Sequence, residues 1–213
     1  EVDLNPLLAD ESGVIVVDAR VAVAPIDKSR RVPSGHPRFA VRPYPKEWES
    51  HTTLKDGTAI IVRPVRPEDE NLYPPFFAQV SKQDLRLRFF APVKEFSHTF
   101  IARFTQLDYA RAMAFIAIEE MTGKMLGVVR LHANSNYDAG EYAVLVRSDL
   151  KGKGLGWHLM QRIIEYARSE GLRTIEGQVL NENSSMLRMC TDLGFSIAQD
   201  PEEPGCSIVR LPI

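Results

Sequence analysis

Two periodicities divide the apolar positions of this chain. Leu159, Met160, Ile163, Ile164 and Ala167 recur at helical spacing and predict an amphipathic helix over 155–168, with Gly171 as its left-handed stop. Shorter apolar runs bounded by turn residues predict strands at 60–62, 112–118, 126–131, 141–147 and 174–180, with Phe195 and 206–211 in closing strands. Asp56-Gly57 and Met121-Thr122-Gly123-Lys124 supply turns. Between the first two strands the pattern is helical in pieces. Pro67-Glu68-Asp69-Glu70 opens one piece and Pro74-Pro75 interrupts it. Ser81 caps a second piece that runs to Phe90, and Ser97 caps a third with Phe100, Ile101 and Phe104 on one face. A further helix spans 184–192. The order β, helical pieces, βββ, α, β, α, ββ predicts an α/β (α+β) domain with a mixed central sheet flanked by helices.

The first fifty residues follow another pattern. An Asp10-Glu11-Ser12-Gly13 turn leads into the β-branched run Val14-Ile15-Val16-Val17. A lone hairpin buries too little to stand alone, so residues 1–24 are expected to end a domain whose remainder is missing. Pro25, Pro33, Pro37, Pro43 and Pro45 stop both helix and central strand, which makes 25–51 a proline-rich linker ahead of a regular domain at 52–213.

Charge narrows the function classes. Among 213 residues, 26 Lys+Arg against 28 Asp+Glu give a net charge of −2, so no global positive field exists to hold nucleic acid or an anionic membrane. Any anion site must be local. The linker cations Lys28, Arg30, Arg31, Arg38 and Arg42 lack an aromatic stacking array and read as solvated. Cys190 and Cys206 are too few for a disulfide framework, and His36, His51, His98, His132 and His158 lack metal-ligand spacing; no metal is expected. With no run of membrane-spanning length and no signal peptide, the chain is expected to be soluble and cytoplasmic.

The local anion site lies in the stretch from Glu141 to Trp157: a strand, then Lys151-Gly152-Lys153-Gly154-Leu155-Gly156, then a helix start. Alternate glycines turn backbone amides toward one point, the helix N-terminus adds unpaired N–H groups, and Lys151 and Lys153 add charge. A pyrophosphate suits such a pocket. The spacing is not that of a dinucleotide fingerprint, and Trp157 after Gly156 excludes a Walker loop. On its own, the loop is equally a tight β–α turn.

The loop resembles the Arg/Gln-x-x-Gly-x-Gly/Ala acyl-CoA loop of the Gcn5-related N-acetyltransferases (GNATs), with lysine in the first position. Asn181-Glu182-Asn183-Ser184-Ser185-Met186-Leu187 and Asp192-Leu193-Gly194-Phe195 resemble that family's closing element, and the resemblance covers about residues 55–213. Leu85-Arg86-Leu87-Arg88-Phe89-Phe90 resembles the Arg-Phe-Phe segment of bacterial Pat-type protein lysine acetyltransferases, and Asp3-Leu4-Asn5-Pro6-Leu7 the end of their ATP-grasp module. Asp3 and Asn5 match metal-holding positions of active ATP-grasp enzymes, but with the rest absent no nucleotide binding is expected.

The resemblance implies a GNAT fold, acetyl-CoA as cosubstrate, and transfer to the Nε of a lysine on a protein such as an acyl-CoA synthetase. Oligomerisation is left open. It implies main-chain contacts to pantetheine from Leu145, Val146 and Arg147, with a bulge in that strand presenting an oxyanion donor. It also implies a diphosphate grip by Lys151, Gly152, Lys153, Gly154, Leu155, Gly156 and Trp157, and further contacts from Asn183 and Ser185. Glu141 is the expected general base, with Glu119 or Glu120 as candidates for a shared water relay. Cys190 stands where many members carry a tyrosine acid, and reads as a buried thiol. Two alternatives remain: an acetyltransferase for a small-molecule amine, and a non-catalytic acyl-CoA sensor.

Overall fold

The computed structural model describes residues 2–4, 6–21, 23, 42–93 and 95–213. The first strands, β1 (Val2–Leu4), β2 (Leu7–Asp10), β3 (Gly13–Val16) and β4 (Ala19–Val21), pair as β1 with β4 and β2 with β3. They form one interrupted hairpin rather than a single two-stranded one, and Val14, Ile15 and Val17 on it are exposed. Asn5, His36 and the prolines at 25, 33 and 37 lie outside the described residues, as does the side chain of Asp3.

Packing begins earlier than the expected boundary at 52. Trp48 lies edge-on to Tyr166, its carbonyl accepts from Arg162, and β5 (Ser50–Thr53) pairs with β6 (Ala59–Pro64). Polar Ser50-His51-Thr52-Thr53 carries no apolar alternation, so this edge strand is held by its backbone ladder and not by a pattern the sequence displays. After β6 a 3-10 turn (Pro67–Leu72) leads straight into α1 (Tyr73–Phe77). Pro74 and Pro75 thus sit in the first turn of a helix, where their missing N–H groups cost nothing, instead of interrupting one. The bidentate pair of Arg63 with Asp69 pins the turn to β6 at 2.6 and 2.7 Å. Two further helices follow, α2 (Lys82–Phe89) and α3 (His98–Thr105), capped by the hydroxyls of Ser81 and Ser97.

Three antiparallel strands come next: β7 (Ala112–Glu119), β8 (Met125–Ala133) and β9 (Ala139–Val146). The glycine loop then feeds α4 (Leu155–Ser169), followed by β10 (Thr174–Leu180), α5 (Ser184–Asp192), β11 (Ser196–Gln199) and β12 (Cys206–Pro212). The eight-stranded sheet runs β11-β12-β10-β9-β8-β7-β6-β5. Only β9 and β10 are parallel neighbours, because only they are joined by a crossover helix. One face packs on α4, whose Leu159, Met160 and Ile163 are fully buried, each contributing about 1.5–3 kcal/mol. The opposite face packs on α1–α3 through an aromatic cluster that includes Phe77, Phe89, Phe96, Phe100 and Phe104. The clustered phenylalanines are therefore helix-packing core, with Phe90 alone turned outward. No described helix is long and apolar enough to cross a membrane.

Candidate active site

The parallel pairing of β9 with β10 lasts three residues, from Ala139 opposite Thr174 to Glu141 opposite Glu176. Beyond that point β10 stays with β12 while β9 stays with β8, so the two central strands splay. The next residues explain the parting. A Cβ on Gly177 would stand 2.8 Å from the Tyr142 ring, so the ring occupies the space a side chain would need. Tyr142 is buried there, its hydroxyl 3.1 Å from Cys190 Sγ. Burial raises the pKa of both groups, leaving phenol and thiol neutral.

A cleft of about 790 Å³ fills the splay and runs from Glu141 to the glycine loop. Strand parity decides which backbone groups face it. The Arg147 amide donates to the Leu126 carbonyl at 2.9 Å, and the register places Leu145 opposite Val128. The N–H and C=O of one residue leave a strand on the same side and alternate along it. Leu145 and Arg147 are thus turned toward β8, and Val144 and Val146 toward the cleft. Of the three residues expected to offer main-chain contacts, only Val146 turns its backbone to the cleft; Val144 does so too, and Arg147 spends its side chain on Asp149.

The expected bulge in this strand is also absent. β8 and β9 pair without a shift from Gly127–Val146 to Ala133–Gly140, whereas the irregularity lies between β7 and β8, around Leu126. The strand presents an opened edge instead of a bulge: past Glu141 the β9 backbone has no ladder pairing with β10 among the described residues.

At the loop, Gly152 and Gly154 adopt φ of +77° and +91°, and a Cβ on Gly152 would meet nothing within 4 Å. Their role is backbone direction into open space at the start of α4. Gly152, Gly154, Gly156 and Trp157 line the cleft, but Leu155 is fully buried and its side chain is core. The two lysines differ from expectation. Lys151 pairs with Asp84 on α2, and Lys153 with Asp56 at 3.2 Å, so their charge is largely neutralised. Burial would raise Asp84, but hydrogen bonds from Lys151, Ser148 and Ser81 outweigh it and hold the carboxyl below its ordinary range. Lys151 is a tie between loop and helix.

Lys55, from the β5–β6 turn, lies against Gly154 and lines the cleft with no ion pair among the described residues. Nothing in the sequence marks it, since a loop lysine is usually solvated. Asn183 caps α5 by accepting from Met186 N, with Ser185 donating to its Oδ1, and both line the cleft. Arg86 pairs with Glu182, linking α2 to the β10–α5 turn.

Glu141 lies exposed at the far end, facing the α2 side of the sheet. Register puts it in a row of polar residues crossing five strands: His132 on β8, Glu141 on β9, Glu176 on β10, Arg210 on β12 and Ser196 on β11. All but the half-buried Glu176 are exposed, and Arg210 pairs with Glu176 at 3.1 Å. Glu119 and Glu120 lie away from this row, bonded to Thr122 and His51 respectively. No group of three or more potential metal ligands occurs among the described residues.

Known proteins share this architecture. A profile described as the acetyltransferase (GNAT) family matches residues 81–195. Acetyltransferase PA5475 of Pseudomonas aeruginosa is 31% identical over 163 residues, 76% of this chain and 88% of that protein. Acetyltransferase Pat of Mycolicibacterium smegmatis is 25% identical over 142 residues, which cover 66% of this chain but 42% of that protein. Among solved structures, the GNAT domain of S. lividans PAT matches with a TM-score of 0.74 at 28% identity, covering 80% of this chain and all (100%) of that one.

Proposed function

This chain belongs to the GNAT family of acetyltransferases, and from that premise we propose that it is an acetyl-CoA-dependent protein lysine Nε-acetyltransferase. The observation that carries the protein-substrate reading is the open polar row through Glu141. A small metabolite calls for an enclosing pocket, whereas an exposed row across five strands suits a surface lysine on a folded partner. The likeness to proteins named Pat supports it. An acyl-CoA synthetase is the partner class in this reading.

In the proposed mechanism the coenzyme's diphosphate sits on the amides around Gly152 and Gly154, with Lys55 beside them. Its pantetheine adds to the free edge of β9 at Val144 and Val146, as an extra strand would. A lysine amine with a pKa of about 10.4 is protonated at neutral pH, so Glu141 accepts a proton from it, directly or through water. The neutral nitrogen then bonds to the thioester carbon, the carbon–sulfur bond breaks, and the coenzyme thiolate takes up a proton. Tyr142, neutral, stands on the cleft wall near that path, with the neutral thiol of Cys190 buried behind its hydroxyl.

The same reading keeps residues 1–24 as the tail of an ATP-grasp-like region, a linker after it, and a cytoplasmic setting. Incubation of the protein with acetyl-CoA and a panel of acyl-CoA synthetases, followed by mass mapping, tests it. Stoichiometric acetylation of one synthetase lysine is expected. Turnover confined to free amino acids or amines would replace this reading with the metabolite acetyltransferase, and tight coenzyme binding with no turnover would replace it with the sensor.

A further inference from the structure

One charged group at the Glu141 end of the cleft has no part in the mechanism above. Arg88, in the last turn of α2, is half-buried and lines the cleft. Its guanidinium lies 4.9 Å from the centre of the Phe89 ring but makes no hydrogen bond or ion pair with any described residue. Arg130 stands behind it on β8, opposite Ala143, and is equally unpaired among the described residues. The buried hydroxyl of Tyr73 also lacks a partner. All three border one void of about 10 Å³, room for a single water.

Two other charged side chains on neighbouring elements do find partners. Arg63 meets Asp69 through two bonds, and Asp84 meets Lys151. At Arg88, burial and then the field of Arg130 push the pKa down to about 10, with Glu141 pulling the other way. The group stays charged at neutral pH. Two guanidiniums and the carboxylate of Glu141 thus stand at this end with no ion pair among the described residues. A half-buried cation that has lost part of its hydration and found no ion pair gains when a ligand brings the counter-charge.

We propose that Arg88, backed by Arg130, is an anion subsite that recognises a carboxylate next to the reacting centre. The proposal rests on the acyltransferase reading of the cleft and names its substrate class. The carboxylate has two sources: the end of a dicarboxylic acyl group, as in succinyl-CoA, or an acidic residue beside the acceptor lysine. The planar guanidinium fork suits either. Plain acetyl on a lysine with neutral neighbours leaves Arg88 without a partner.

The test uses the full chain, Arg88→Gln and Arg130→Gln, and reads ratios, so that a general loss of folding or activity cancels. One arm compares binding of succinyl-CoA and acetyl-CoA by calorimetry; the other compares transfer to lysine peptides flanked by glutamate or by glutamine. Wild type is expected to favour the acidic member of one pair by about tenfold, and Arg88→Gln to bring that ratio near one, with a smaller fall for Arg130→Gln. Preference in the first arm assigns the acyl chain, and in the second the acceptor. Ratios near one in both arms for wild type, or ratios unmoved by Arg88→Gln, overturn the subsite, and peptide turnover alongside them keeps the acetyltransferase. A protein that acetylates no peptide yet prefers succinyl-CoA through Arg88 keeps the subsite and sinks protein acetylation.

Discussion

The two ends of the cleft are built from different materials. At the glycine loop the chain offers main chain, and it neutralises the loop's own lysines, Lys151 with Asp84 and Lys153 with Asp56, leaving Lys55 beside them. At the Glu141 end Glu176 is paired with Arg210, but three charged side chains are not: Glu141 itself, Arg88 and Arg130 have no ion pair among the described residues. The first end is set by backbone geometry, and the second by charge. Damage should therefore appear as lost affinity at the loop and as lost turnover or selectivity at the other end.

The sharpest test of that contrast is Glu141→Ala. It should lower kcat by about a hundredfold while leaving acetyl-CoA affinity within about twofold, read by steady-state kinetics and calorimetry. An unchanged kcat would remove the base from Glu141. Next in size is Gly154→Val. A β-branched residue at φ +91° is strained, and acetyl-CoA binding should weaken by about tenfold, with kcat at saturation much less affected. Equal losses in kcat would mean that the two ends are not separable.

Asp84→Asn addresses the tie between loop and α2. Because the folded carboxyl is held below its unfolded pKa of about 3.9, its stabilisation is present above that pH and lost as pH falls through the folded value. Wild type should lose this contribution below about pH 4, and the variant should lack it, with a deficit of about 1–3 kcal/mol at neutral pH by denaturant titration. Coinciding stability curves would show that the tie is cosmetic. Lys55→Gln should weaken acetyl-CoA binding by about threefold at low salt and by less at high salt, as an exposed cation does. The smallest effect is expected from Arg86→Ala. Its pair with Glu182 is nearly half exposed on both sides, so less than about 1 kcal/mol of stability should go with it.

Legibility in the sequence follows the range of the interaction. Helices α4 and α5 and strand β10 show in the pattern because period, caps and glycine stops are local, and so is the glycine loop before α4. β5 was invisible because Ser-His-Thr-Thr has no alternation and is held only by β6. Pro74 and Pro75 misled because one proline pattern suits both a break and a first turn. In the candidate site, the glycines are readable from their spacing, and Glu141 and Asn183 only through the family resemblance. Lys55, Arg88 and Arg130 come from three separate elements, and no local pattern marks an arginine that has failed to find a partner.

By itself the chain's order of residues determined its class: a mixed α/β domain with a β–α anion loop, built from short-range preferences that need no knowledge of distant neighbours. Only the tertiary structure decided where β9 and β10 part, that Val144 rather than Arg147 faces the gap, and that Lys151 answers to Asp84. Those are matters of register and of charges meeting across the chain. A shift of one residue turns a backbone amide from cleft to ladder, and such a choice is made by packing, where Tyr142 fills the space over Gly177.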